Sequence, residues 1–566
     1  MALTEAGPRG DDATDQDAGA EARAEEQPPP PSVGGGARGN DHKVVGTELI
    51  VLALLFLVVG GVLALVMRAQ LSTANGSVVN DTEYRSLFTY HGTFLVFLFL
   101  LPAWLGIATA MVPLQIGAGR LAFPRLQTLA LWMALAGGAL MTIAPFASGG
   151  KLITGWSFTV PIPDPGAIRG DGVEYLLLGI AIVLAGAVLA AANLVTTILK
   201  LRAPGLTARR LPLYSWSVLV SSAVLLLSLP VLVAGTVMLF ADHHYRAHLF
   251  SGLTSSGAGN PFLWPRLFWF GAYPMLWALL LPVLGLASEV LPVFARRPIA
   301  DRTRAMVALA AVGVLAFFGW GSEVRNLERA RFVFVLGALA VLAPVASLFL
   351  NWLLTVAKAA TGGGLGADRL LATPMLHVLG VVSVLAVGLA AGAVSAVDAS
   401  RSLHANYWQV GEQHLLFFAP ATLAVVAAVH YWAPKLWGRG LSQGVGRLEV
   451  LLLAGGAFVS FLPALVLGLQ HMHVHTSSYP SHDSWRAANL VMSAGSAVLT
   501  LGVLVFALNL LVSVAMRRGR PAPDDPWGGH TLEWTAPTPP PPHNFDRLPE
   551  VRSATPALDL RGAEVG

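Results

Sequence analysis

Twelve apolar runs, each long enough to cross a lipid bilayer, set the terms for the whole chain. They cover roughly 47–67, 89–113, 126–148, 174–198, 213–241, 267–293, 303–321, 332–357, 374–397, 409–433, 448–470 and 487–515, and a membrane-crossing helix needs about 20 mostly apolar residues. Backbone N–H and C=O groups find no water in hydrocarbon and must pair within the segment, so such runs can only be helices. The expected fold is therefore an all-α integral membrane bundle of twelve transmembrane helices. Of the 566 residues, 55% are hydrophobic and only 12% charged, with a mean hydropathy of +0.63, values outside the range of soluble domains.

There is no cysteine. Disulfide scaffolds, iron–sulfur clusters and thiolate metal sites are thereby excluded, and any metal must be held by His, Met, carboxylate or a prosthetic group. A formal charge of +4 on so long a chain marks no nucleic-acid face.

Residues 1–42 are acidic and rich in Pro, Gly and Ala, without the basic start or apolar core of a signal peptide, and read as a disordered tail. Residues 43–516 form the membrane domain. The tail 517–566 is polar and Pro-rich and cannot bury a core of its own; it is either disordered or an extended strap along the membrane domain. With the amino terminus inside, about nineteen Lys and Arg residues fall in inner loops and about eleven in outer ones. That excess places both termini in the cytoplasm, and the expected location is the plasma membrane of a prokaryote.

Within LHANYWQVGEQHLLFF, His414 heads an apolar run that continues to His430. An imidazole inside a membrane helix is costly without a partner. His91, in TYHGTFLVFLFLLP, is the expected partner. The topology puts both near the outer ends of their helices, the second and the tenth, at the common depth that two axial ligands of one haem must share. For either ring alone, a hydrogen bond to a helix-end carbonyl is the plain alternative. Further histidines lie on the same side: His471, His473, His475 and His482 in QHMHVHTSSYPSH, and His243, His244 and His248 after the fifth run. They either bind a metal, meet haem propionates or simply make a polar outer loop.

From Asp41 to about Pro549 the chain resembles subunit I of haem-copper cytochrome c oxidases. The resemblance rests on DHKVVGT, HGT, VPLQIGA, LAFPRL, RLPLYSWSVLV, LPVLVAGTVMLFAD, TPML, HYWAPKLWGR and PWGGHTLEWTAPTPPPPHNFD, in the family's order. It implies a twelve-helix bundle. In that family a histidine of helix 2 and the second histidine of an H-x-H pair in helix 10 hold the low-spin haem. His91 and His414 stand at those positions, and Arg68 matches the arginine beside that haem's edge substituent.

The rest of the family's active centre is replaced. Glu412 stands where the oxygen-binding haem has its ligand. FGAYPMLW replaces the family's FFGHPEVY, so Tyr273, Met275 and Trp277 stand for a copper-binding histidine, a proton-delivering glutamate and a cross-linked tyrosine. Ser322 and Glu323 replace the other two copper ligands. Arg120 stands where one proton pathway has its entrance aspartate, and Leu348 where the other has its lysine. Val474 and His475 replace the arginines near the propionates, and Ala405 follows His404 where a magnesium site has an aspartate.

The resemblance thus implies a divergent subunit I with one low-spin haem of a or b type, no copper, and one-electron transfer without oxygen reduction or proton pumping. Implied partners are a subunit II-like protein, a cytochrome c or copper-protein donor on the outer face, a subunit III-like protein and membrane lipid, with no nucleic acid. Two alternatives stay open. One is an active terminal oxidase or nitric-oxide-type reductase with a metal centre rebuilt around Glu323, Glu412 and Tyr273. Against it, Glu323 would pair with Arg325 or Arg329, and Glu412 with a donor such as Gln413 or water. The other alternative is a structural or assembly subunit.

Overall fold

The computed structural model describes residues 40–158, 170–250, 259–324, 327, 330–362, 366–398, 402–481 and 483–564. Residues 1–39 of the expected amino-terminal tail, Arg325, Arg329 and His482 lie outside the described residues, while His42, the last residue of that tail, opens the first helix. Twelve helices long and apolar enough to span a membrane follow in order: α1 His42–Leu71, α2 Asp81–Gln115, α3 Pro124–Phe146, α4 Asp171–Lys200, α5 Leu213–Tyr245, α6 Leu263–Phe294, α7 Arg302–Glu323, α8 Arg331–Thr361, α9 Thr373–Val397, α10 Tyr407–Trp437, α11 Gln443–Leu469 and α12 Ser484–Ala515.

The helices divide by burial. The spans of α2, α6 and α10 are buried along almost all their length, as helices apolar on every side must be. The others expose large apolar side chains outward, such as Val51 and Leu55 on α1, Phe332 and Leu353 on α8, and Leu490 and Leu508 on α12. Those faces suit lipid tails. Small residues let helices close up: a Cβ on Gly137 of α3 would lie 2.6 Å from the Gly179 carbonyl of α4, and one on Gly179 would lie 2.7 Å from the Gly137 carbonyl.

An even number of spans brings both described ends to one face, here called the terminal face. At the opposite face two caps set the depth of the helices that carry the paired histidines. Asn80 and Glu83 form a reciprocal capping box at the start of α2, with the Glu83 N–H donating to Asn80 Oδ1 at 2.9 Å. Asn406 caps α10 by accepting from the Trp408 N–H at 2.8 Å, while Tyr407 N–H donates to the Met472 carbonyl at 2.9 Å and Val474 N–H to that of Ala405 at 3.1 Å. The start of α10 is therefore tied to the α11–α12 loop.

For residues 517–564 the strap alternative holds. Arg439–Gly440 (β1) pairs antiparallel with Arg520–Pro521 (β2), and the chain then crosses the terminal face to a short helix, α13 Pro556–Glu564. Leu532, Glu533, Trp534 and Asn544 are buried against the membrane domain. Lys435 donates to the Ala536 carbonyl at 2.6 Å and to Thr538 Oγ1 at 2.8 Å, and Gln115 donates to Glu533 Oε1 at 3.0 Å. Asn544 donates to the Ala118 carbonyl at 2.7 Å and to His42 Nε2 at 2.9 Å, and accepts from Lys43 at 3.0 Å. A Pro-rich segment needs no ladder of its own when side chains near the helix ends supply its hydrogen-bond partners.

Replacing Asn544 with Ala removes three such bonds and leaves His42 Nε2 unpartnered, so Asn544→Ala should cost about 2–4 kcal/mol, read as a lower midpoint in a thermal melt of the detergent-solubilised protein. The strap also carries a pH response. Burial, then the neighbouring Arg561, pushes the His530 imidazole down to about 4. A depressed histidine contributes stability that is present while the ring is neutral, and the unfolded state binds the extra proton between about 6.5 and 4. Docking should therefore weaken as pH falls through that window, measured as faster proteolytic cleavage within 517–564, and His530→Phe should flatten the response.

Candidate haem site and the smaller cavity beside it

Two imidazoles face each other across a gap one atom wide. The His91 and His414 ring centres lie 6.4 Å apart with planes inclined by 15°. Rings in direct contact would be closer, whereas two metal–nitrogen bonds of about 2 Å each plus about 1 Å from each nitrogen to its ring centre add to about 6 Å. His91 Nδ1 donates to the Gly60 carbonyl of α1 at 2.9 Å, and His414 Nδ1 donates to the Val410 carbonyl one turn back at 2.7 Å. With Nδ1–H committed on each ring, Nε2 keeps its lone pair for a metal. Phe461 stacks on His414 at 4.2 Å and holds its plane.

Each of these helices contains a π-helical turn beside its histidine, Leu95–Leu100 in α2 and His414–Phe418 in α10. Such turns are uncommon and cluster at functional sites. The cavity around the pair measures about 840 Å³, with a mostly apolar lining from α1, α2, α10, α11 and α12. Arg68, at one edge, donates through Nη2 to the Asn489 carbonyl at 2.9 Å and to Asn489 Oδ1 at 2.8 Å. At another edge stand His404, His473 and His475. The Nδ1 atoms of His404 and His475 are buried there without a hydrogen-bond partner. Burial, then His473 and Arg85, push His475 down to about 4, so it is neutral near pH 7.

These residues fit one haem. Two imidazole nitrogens could take the axial positions of its iron, the apolar walls suit the macrocycle, and the orphan imidazole nitrogens suit the acidic side chains at its rim.

Of the other outer histidines, His471 is exposed and does not line the cavity. His243 and His244 instead approach Glu174 of α4, at 3.4 and 2.9 Å.

The neighbouring space is different in kind. Glu323, Glu412, Tyr273, Trp277, Ser322 and Arg331 line a cavity of about 70 Å³. Cavities that hold organic ligands run to about 300–1,000 Å³, well above this volume. Trp277 packs edge-on against Phe417 at 5.3 Å, and Tyr273 lies against Gly319, where a Cβ would meet its hydroxyl. Glu412 finds its donor in the Ser395 hydroxyl of α9, which donates to Glu412 Oε2, and the Trp408 indole donates to Ser395 Oγ at 2.8 Å. The expected pairing of Glu323 with Arg325 or Arg329 lies outside the described residues.

With this geometry in place, comparison with known proteins is direct. The profile of the family described as cytochrome C and quinol oxidase polypeptide I matches residues 44–498. The chain belongs to that family. It is a divergent haem-copper oxidase subunit I, a multi-pass membrane protein whose relatives are bacterial. A putative cytochrome c oxidase subunit 1-beta of Streptomyces coelicolor is 33% identical over 94% of this chain and 91% of the relative. Quinol oxidase subunit 1 of Bacillus subtilis strain 168 is 31% identical over 92% of this chain and 79% of the relative. A solved haem-copper terminal oxidase dimer superposes with a TM-score of 0.68 at 16% identity, covering 83% of this chain and 84% of that one, which supports the family fold.

The sequence reading of this subunit I did not find the Ser395–Glu412 contact or the buried group His377, His430 and Glu449. Both join different helices, so no local spacing marks them. Ser395→Ala should leave Glu412 and the Trp408 indole unpartnered in a dry setting and cost about 1–3 kcal/mol for each group, seen as a lowered thermal midpoint that Ser395→Thr largely restores.

Proposed function

We propose that this subunit I binds one low-spin haem between His91 and His414, with Arg68 at its edge, and serves one-electron transfer without oxygen reduction or proton pumping. The observation that carries the reading is the 6.4 Å separation of two imidazoles whose Nδ1 atoms are both already engaged. Such a haem supplies a one-electron redox couple of a or b type with no open coordination position. This chain's residues orient both rings and wall the site with mostly apolar side chains, and the neighbouring cavity of about 70 Å³ is small for a second macrocycle. No copper is expected there, since His404 brings a single imidazole to that cavity and Tyr273, Ser322 and Glu323 add no other.

The excess of basic residues in the loops on the terminal face supports both termini in the cytoplasm of a prokaryote, with the His91–His414 site toward the outer side. Electrons would then come from a cytochrome c or copper protein by way of a subunit II-like partner, with a subunit III-like protein alongside. A rebuilt oxidase or reductase centre has one observation in its favour, the two carboxylates Glu323 and Glu412 on one cavity.

One set of measurements separates the readings. The purified protein should give one haem per chain by pyridine haemochrome, and its reduced spectrum should not change with carbon monoxide. Two haems, or a carbon monoxide adduct, would establish the rebuilt centre. His91→Ala and His414→Ala should each abolish the six-coordinate low-spin spectrum; unchanged spectra would refute the proposal, and absence of any haem in the wild type would leave a structural or assembly subunit.

A further inference from the structure

Near the terminal face, three helices bring together a second group of metal-ligand type, none of whose residues lines the haem-site cavity. His377 of α9, His430 of α10 and Glu449 of α11 are buried, and their ligand atoms all lie within 4.8 Å of one another. It is the only such group of three or more among the described residues. His377 lies four residues inside α9, Glu449 six inside α11, His430 seven before the end of α10, and Asn509 six before the end of α12. At about 1.5 Å per residue these are matching depths of roughly 6–10 Å.

The hydrogen bonds decide where the protons are. Thr373 Oγ1 spends its one proton on Gln443 Oε1 at 3.0 Å, so toward His430 Nδ1, at 3.3 Å, it can only accept. Nδ1 of His430 therefore carries the proton, and in the neutral ring Nε2 turns a lone pair on Glu449 Oε2 at 2.7 Å. His377 Nδ1 donates to the Thr373 carbonyl at 2.8 Å, which leaves its Nε2 as a lone pair too. That atom is fully buried, has no hydrogen-bond partner, and lies 4.0 Å from the same carboxylate oxygen. Asn509 Nδ2 donates to the other oxygen, Oε1, at 2.7 Å and so holds the carboxylate in place.

Two nitrogen lone pairs and a carboxylate oxygen thus converge in a dry interior, an arrangement that calls for a cation. A proton shared between His430 and Glu449 would satisfy that pair alone and leave His377 Nε2 orphaned. A metal ion satisfies all three. Two imidazoles with one carboxylate suit borderline first-row dications and not calcium or magnesium, which take oxygen ligands. The two Nδ1 contacts, to the Thr373 carbonyl and hydroxyl, are the outer partners that metal-bound histidines use to fix tautomer and orientation.

We propose that His377, His430 and Glu449 bind a transition-metal dication of the zinc class, which clamps α9, α10 and α11 together near the terminal face. The site is independent of the haem reading.

The test uses full-length protein in detergent, stripped with a chelator, reloaded with Zn²⁺ and desalted. About one tightly held zinc per chain is expected, with X-ray absorption showing two imidazole ligands. His377→Phe keeps a ring of similar size without the nitrogens, and it and Glu449→Gln should each weaken zinc at least about tenfold. A His473→Ala/His475→Ala double variant should retain it. Elution profile and thermal melt identify any variant that has failed to fold. Zinc bound no more tightly by the wild type than by folded His377→Phe and Glu449→Gln would overturn the proposal. So would an infrared band of a protonated carboxyl that persists in zinc-loaded wild type and disappears in Glu449→Gln, since it would show a shared proton in the metal's place.

Discussion

Hydrocarbon gives a polar side chain no water to turn to, so most polar groups inside this bundle are placed by a partner in the protein. The imidazoles of His91 and His414 show how far that constraint reaches. Each sends Nδ1–H to a backbone carbonyl, at Gly60 and Val410, and the bond that satisfies one nitrogen aims the other. For His91 the acceptor belongs to α1, so the ring orientation depends on how closely α1 approaches α2. Gly60 permits that approach, since a Cβ there would lie 2.4 Å from Leu95. Arg68, eight residues further along α1, is fixed by Asn489 and Ser493 of α12. The packing of three helices and the aim of one nitrogen are one problem.

On the one-haem reading proposed above, the space beside Glu412 is packed and not merely without ligands. A bundle that gave up a macrocycle without refilling its space would carry a void, at about 24 cal/mol per Å³, or about 7 kcal/mol for 300 Å³. Trp277, Phe417 and Tyr273 are large side chains at the right place to prevent that cost, and the remaining cavity is about 70 Å³. Loss of ligands such as those replaced by Ser322 and Glu323 would remove chemistry alone. Aromatic filling goes further, because it makes the packed state the stable one.

How much of this was legible in the sequence depends on the range of the interaction. Lipid-crossing length is a local property, and the twelve apolar runs match the twelve helices with most ends within a few residues. The start of α2 is an exception: hydropathy placed it near residue 89, but it begins at Asp81 because DTEYRSLFTY is polar and helical. Asn80 and Glu83, at capping-box spacing, carried that signal in a form that hydropathy does not read. Likewise the strap was legible as Pro-rich but not as packed, because its partners, such as His42 for Asn544, are 502 residues away. The pairing of His91 with His414 was legible only through topology and family resemblance. Ser395 as the partner of Glu412 was not, since nothing in either helix alone announces the other.

Helix α10 is where these strands of argument meet. Glu412 and His414 are two residues apart, about 200° around a helix, so they point to opposite sides. His414 faces the cavity of about 840 Å³ and Glu412 the one of about 70 Å³. The helix is a wall between two compartments that meet at Trp269, Glu323, His404 and Gln413. The π-helical turn that begins at His414 adds to that separation. An extra residue in one turn rotates everything after it by about 100° relative to what precedes it. The deeper half of α10 can therefore pack by its own pattern without dragging the histidine off its axis. Two polar residues on one helix are thus decoupled by geometry, which is how a carboxylate can replace one ligand of a paired motif while the other stays aimed at its partner.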